Sequence, residues 1–288
     1  MGSMKTSNLI NFQRLKRLPS GLVKQLALIL LSLLTLFPLY FMITNSFKVQ
    51  DEFFNNLLGL PQNPILGNFT KILQHPNLGR WFFNSILLTT GSVMVSTIIA
   101  ILAAYAFALM RFPGRDTLFN LITPLMVIPP IVMVIPMFVL FRQLRLVNNP
   151  GGPLIIYSGL MLPFTIYLLR NFFVTIPKEI QDAALIDGCT EFQVLTKIYL
   201  PLSRPALVTS IIVNAVWVWN ELLIALVFLQ TEELRTLIVG ITTSLQKRFT
   251  LDVPSLMAGL AVATIPMIIL YIIGQNALVR GLVAGHDK

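Results

Sequence analysis

Six long apolar stretches divide the chain, at about 22–44, 81–110, 117–141, 153–174, 205–229 and 255–279. A helix needs about 20 apolar residues to cross the hydrocarbon core of a bilayer, so each stretch is long enough. Within them apolar residues run on without the strict alternation of a transmembrane barrel strand. Backbone polar groups in lipid must then be satisfied inside helices. The pattern predicts an all-α membrane protein with six transmembrane helices. A segment 1–21 precedes the transmembrane domain of 22–279, and a tail 280–288 follows it.

The polar interruption at 175–204, between the fourth and fifth stretches, differs from the other loops. Pro177 opens it, suited to the start of a helix. Lys178 and Asp182 stand four apart and can pair. Ile180, Ala183, Ala184 and Leu185 give a short helix an apolar side. Gly188 ends that helix, where a left-handed residue is wanted. Thr190 and Gln193 then have capping-box spacing. Phe192, Leu195, Ile198 and Tyr199 predict an amphipathic second helix, which Pro201 stops. Helices this short are marginal alone. Their apolar faces need cover from the bilayer surface, from this chain's own spans, or from a docked partner.

Three spans carry further signals. In the second, Ser92, Ser96, Ala100, Ala104 and Ala108 recur every fourth residue and lay small side chains along one face, which suits close helix packing. In the third, Pro124, Pro129, Pro130 and Pro136 each remove a backbone donor and can bend the helix, either around a pathway or as irregular packing. In the fifth, Asn214, Trp217 and Glu221 share a face and Asn220 sits beside it. An ionised acid at the bilayer centre costs about 3 kcal/mol on insertion scales, so Glu221 should face protein or water. These residues either line a translocation pathway or act as interhelical hydrogen-bond glue.

Composition agrees with the membrane reading: 55% of residues are hydrophobic and 11% charged. The net charge of +9 does not imply nucleic acid, because the basic residues are dispersed among loops. Placing both termini in the cytoplasm puts thirteen of the 21 Lys and Arg residues inside, the arrangement the positive-inside rule favours. The basic run Arg14–Arg17 then anchors the cytoplasmic edge of the first span. The single cysteine, Cys189, excludes an internal disulfide. His75 and His286 fall on opposite sides of the membrane, so no metal site is predicted. No P-loop, HExxH or GxSxG pattern occurs, so the chain is not expected to be an enzyme or to bind a cofactor.

The stretch "DAALIDGCTEFQVLTKIYLP" resembles the EAA loop of ATP-binding-cassette importer permeases. Asp182, Ala183 and Ala184 stand for the family's Glu-Ala-Ala, Gly188 for its glycine, and Ile198–Pro201 for its closing segment. "NSFK" at 45–48, "LAAYAFALMRFPGR" at 102–115, "MVIPP" at 126–130, "WNE" at 219–221 and "GLVAG" at 281–285 extend the resemblance over nearly the whole chain. Together they are similar to the carbohydrate-uptake, maltose-type branch. Departures are Asp182 for Glu, Cys189 for a small alanine, and Glu221 where Asp is more frequent.

The resemblance implies a coupling helix-turn-helix on the cytoplasmic side. Asp182, Ala183, Ala184, Leu185, Ile186, Asp187, Gly188, Phe192 and Pro201 would dock an ATP-hydrolysing subunit. It also implies a multi-pass protein of a prokaryotic inner membrane, forming half of a pathway for a sugar or oligosaccharide. Its partners would be a second permease subunit, two ATP-binding subunits that bind ATP and Mg, an extracellular or periplasmic solute-binding protein, and membrane lipid. Gln246, Lys247, Arg248 and Asp252 fall where the family's last outer loop approaches the binding protein. The alternatives are a permease for a polyol or a glycerol phosphate compound, and a stand-alone ion-coupled transporter.

Overall fold

The computed structural model describes residues 20–245 and 251–283, with side chains over 24–245 and 251–275. Among these residues the regular structure is helical and no strand forms. Helix α1 (Ser20–Ser46) is followed by two short helices, α2 (Gln50–Asn55) and α3 (Gly67–Leu73), then by α4 (Leu78–Leu109). Helix α5 (Arg115–Ile122) runs through a 3-10 turn, Thr123–Val127, to α6 (Pro130–Gln143), and α7 (Gly151–Thr175) follows. The elbow holds α8 (Lys178–Ile186), α9 (Glu191–Val194), a π-turn (Leu195–Tyr199) and α10 (Leu200–Leu202). Helices α11 (Arg204–Asn220), α12 (Leu223–Phe228), α13 (Leu237–Ser244) and α14 (Val253–Val283) complete the order.

Four of the described helices are individually long and apolar enough to cross a membrane: α1, α4, α7 and α14. The third apolar stretch is not one straight helix. Its halves meet at 103° around Ile128 and Pro129. Both residues are extended, because a residue before proline avoids the helical region and Pro130 offers no N–H. The fifth stretch stops at Asn220, after 17 helical residues. That is about 25 Å of helix, short of a 30 Å hydrocarbon core. On its other side α11 is bent by 76° from the elbow segment Glu191–Leu202.

The small-residue face of α4 packs along α7. Ser92, Ser96, Ala100 and Ala104 have no exposed surface, and the Ser158 hydroxyl of α7 donates to the Ser92 carbonyl at 3.2 Å. Small side chains bring the two backbones close, where dispersion and hydrogen bonds replace the hydrophobic drive that lipid lacks. Helix α11 lies against α4, α7 and α14, and α1 rides along α14. At the end of the bundle away from the elbow, α13 packs so tightly on α4 that a Cβ on Gly240 would overlap the Trp81 ring. The Trp81 indole N–H donates to the Glu232 carbonyl at 2.8 Å, tying that loop down. The outward faces stay oily: Leu30 and Leu34 on α1, Ile131 and Ile135 on α6, and Ile273 on α14 are all exposed. Such faces suit lipid or another apolar helix rather than water.

Candidate functional site

The elbow leaves α7 through Ile176 and Pro177. Pro177 caps α8 from outside and lies one residue before the first turn. Helix α8 closes with two bonds, from the Gly188 amide to the Leu185 carbonyl at 3.1 Å and from Cys189 to Ala184 at 3.0 Å. This is a Schellman closure, and it requires the left-handed backbone that Gly188 adopts at φ +84. The chain restarts at once. Thr190 Oγ1 accepts from the Gln193 amide at 3.3 Å, and Gln193 Oε1 accepts from the Thr190 amide at 2.9 Å, completing a capping box.

One side of the elbow is sunk into the spans. Val194, Leu195 and Tyr199 are buried, and the Tyr199 ring meets Tyr105 and Phe173 edge-on at 5.6 and 5.5 Å. The Tyr105 hydroxyl of α4 donates to the Glu191 carboxylate, a second anchor at the start of α9. The other side is open. Asp182, Ala183, Asp187 and Gly188 are exposed, Leu185 is 38% exposed, Ile186 87% and Phe192 67%.

Four details differ from the sequence expectation. Of the apolar side of α8, Ala184 is buried together with Gln181, whereas Ile180, Ala183 and Leu185 are exposed. Phe192 does not share the inner face with Leu195 and Tyr199; the wider π-turn aligns Val194, five residues before Tyr199, with the buried side instead. Lys178 and Asp182 do not pair; Lys178 lines a cavity against the α4–α5 connection instead. Pro201 sits in the first turn of α10, and the bend follows at Ser203.

The fifth-span residues face α7. The Asn214 amide donates to Thr165 Oγ1 at 2.8 Å, and Trp217 lies edge-on to Tyr157 at 5.8 Å. Glu221 ends α11 and caps α12. Its Oε1 accepts from the Ile224 amide at 2.8 Å, and its Oε2 from Ala225 at 3.1 Å and the Tyr157 hydroxyl at 2.6 Å. Three donors satisfy the carboxylate inside an apolar bundle. Asn220 departs from this group: it is exposed, and its amide donates back to Val216 at 2.7 Å.

At the far end of the bundle, Asp252 bonds Lys71 of α3 and accepts from the Ser255 hydroxyl at 2.8 Å and amide at 3.2 Å. Burial pushes its carboxyl up, but the Lys71 and Ser255 bonds outweigh burial and hold it below the ordinary aspartate value. Gln50 reinforces the clasp through Leu251 and Val253. Gln246, Lys247, Arg248 and His286 lie outside the described residues. Sequence reasoning missed Glu191 and Tyr105. Their signal was faint, an acid in a helix's first turn and a lone phenol on an apolar helix.

Comparison with known proteins agrees with this architecture. A putative ABC transporter permease from Caldicellulosiruptor sp. (strain Rt8B.4) is 38% identical over 252 residues, 87% of this chain and 91% of that protein. The arabinooligosaccharides transport system permease protein of Halalkalibacterium halodurans is 32% identical, covering 90% and 93% of the two chains. The crystal structure of a bacterial ABC transporter involved in import of the acidic polysaccharide alginate superposes with a TM-score of 0.76 at 26% identity, over 95% of this chain and 99% of that one. The model of the family described as binding-protein-dependent transport system inner membrane component matches residues 96–283. With most of its length matched on sequence and fold, the chain belongs to that family of ABC transporter permeases.

Proposed function

We propose that the chain forms half of the translocation pathway of a binding-protein-dependent importer for a sugar or oligosaccharide. The exposed tip of the elbow would couple it to a separate ATPase. One observation carries the coupling role. Ile186 and Phe192 stand uncovered on two rigidly capped short helices whose other side is buried against α4 and α7. A load applied at the tip passes through Val194, Leu195 and Tyr199 into the spans. The sugar class is supported by the relative named for arabinooligosaccharides and by the likeness to the alginate importer.

On this reading both termini lie in the cytoplasm and a second permease subunit completes the pathway. Two ATP-binding subunits hold ATP and Mg, so hydrolysis is not this chain's own chemistry. A solute-binding protein delivers the sugar at the far end, near the Asp252 clasp. The test is gentle co-purification of the tagged chain from its native membrane, with mass spectrometry of what is retained. Recovery of a P-loop ATPase and a second multi-span subunit supports the reading. Recovery of this chain alone, in a state that still transports, overturns it and brings forward an ion-coupled transporter.

A further inference from the structure

The connection from α4 to α5 and the first residue of α8 border an open cavity of about 790 Å³, lined by residues 111–117 and Lys178. Three cations line it, Arg111, Arg115 and Lys178, against one carboxylate, Asp116. Arg115 is already committed: its Nε donates to Asp116 at 3.0 Å and its Nη1 to the Met110 carbonyl at 3.4 Å. Arg111 and Lys178 make no ion pair or side-chain hydrogen bond among the described residues. A further cation, Arg170 of α7, lies over the neighbouring Phe119 ring at 4.6 Å. Two cations from separate parts of the chain, Arg111 after α4 and Lys178 at the start of α8, therefore meet at this cavity without an anion of their own.

The position of the cavity selects the anion. It sits where the two most buried spans end together, α4 at Leu109 and α7 at Thr175; with these two helices crossing the bilayer, their shared end is the membrane–water boundary. Gly114, at φ +80, turns the chain so that α5 starts from the rim. Leu118 and Leu121 on α5 are exposed, 47% and 64%, and offer apolar surface beside the charged rim. A soluble anion would use the cations alone, whereas a phospholipid would use both surfaces. We propose that this cavity binds the phosphate-bearing headgroup of an anionic phospholipid. Guanidinium and ammonium groups both suit phosphate oxygens, with Arg adding a bidentate fork. The headgroup would bridge Arg111 to Lys178 and so fasten the start of α8 to the end of α4. The site does not depend on the coupling reading, because it is defined by two span ends and a cation cluster.

The test uses the purified transporter with whatever subunits accompany it. It is placed in nanodiscs of equal phosphatidylcholine and phosphatidylglycerol, and the lipid retained on this chain is read by native mass spectrometry. The natural sequence should retain phosphatidylglycerol preferentially. Each basic residue near a charged membrane surface is worth about 1 kcal/mol, so Arg111→Gln and Lys178→Gln should each reduce that preference about fivefold. Arg80→Gln removes the same charge at the opposite end of α4 and should leave the preference unchanged. Arg111→Lys keeps the charge and should restore most of it, which guards against a variant that merely misfolds. Equal retention by the Gln variants and the natural sequence overturns the proposal. So does a site that inorganic phosphate alone fills in lipid-free detergent and blocks to phosphatidylglycerol. Because the readout is bound lipid, a failure here is separate from a failure to recover an ATPase.

Discussion

Two breaks interrupt the oily pattern between residues 175 and 229, and they are built for opposite surroundings. At Gly188 the chain reverses through local bonds alone: a left-handed glycine, a Schellman closure and the Thr190–Gln193 capping box. The apolar side chains Ile186 and Phe192 beside it are left exposed. At Glu221 the break is made by a side chain whose two oxygens take three donors from the same protein. The first break leaves surface for something else to cover; the second is closed on itself. A polar residue in an apolar run is therefore weak evidence for a pathway until its partners are counted, and an apolar residue in a polar run gains meaning from being uncovered.

Glu221→Ala should produce the largest loss. It strands the Tyr157 hydroxyl and two amides of α12, and each unsatisfied buried group costs about 1–3 kcal/mol. The thermal midpoint of the purified subunit should fall clearly, with a smaller fall for Glu221→Gln. Uptake should drop in both variants as folded protein is lost, while ATPase association per folded molecule is preserved. A Glu221→Ala protein with an unchanged midpoint and abolished uptake would break the comparison, and would return this residue to the pathway.

Gly188→Val should do the reverse, with a modest effect on stability and a large one on coupling. A Cβ at Gly188 meets no atom within 4 Å, so the cost is conformational. Forcing a non-glycine residue into the left-handed region costs roughly 1–2 kcal/mol, more for a β-branched one. Membrane insertion and the thermal midpoint should hold within a few degrees, while hydrolysis separates from transport or the ATPase is lost on purification. Normal uptake by this variant would sink the coupling role.

How far these features were legible depended on whether they are local. The Gly188 closure and the Thr190–Gln193 box use residues within six positions of one another, so spacing alone announced them. The small face of α4 was legible for the same reason, although its partner α7 was not. The π-turn at Leu195–Tyr199 was illegible because no residue type encodes it; it sets Val194 in line with Tyr199, which packs between Tyr105 and Phe173. The four prolines announced a bent third span without its angle. The early end of the fifth span was hidden because Glu221 reads as an intruder in a helix, when in fact it terminates one helix and caps the next. Lys178 was assigned to Asp182 by spacing, yet it turns to residues some sixty positions earlier in the chain.

Tyr105→Phe sharpens the elbow half of the comparison. It deletes the hydrogen bond to Glu191 and keeps the ring packing against Tyr199. A hydrogen bond to a charged group is worth about 1.5–3 kcal/mol, less here because Glu191 is exposed and water can replace the phenol. The expected result is a small change in thermal midpoint and more ATP hydrolysed per solute moved, since the start of α9 is less firmly tied to α4. An unchanged ratio would leave the buried trio Val194, Leu195 and Tyr199 as the sufficient connection.

The smallest effect should come from the Asp252 clasp, far from both breaks. Its folded carboxyl titrates below the ordinary aspartate value, so the stabilisation is present at neutral pH and is lost as pH falls through that lowered value. Lys71 and Asp252 are both partly exposed, so screening limits the pair to about 1 kcal/mol or less. Asp252→Asn should lower the thermal midpoint by a degree or two at pH 7 and cancel the clasp's share of the acid-side decline. A pH profile identical in the natural protein and the variant would show that Gln50 and Ser255 hold this end without the charge. The end of the bundle away from the elbow would then resemble the Glu221 break, closed by neutral donors, rather than a surface poised for a partner.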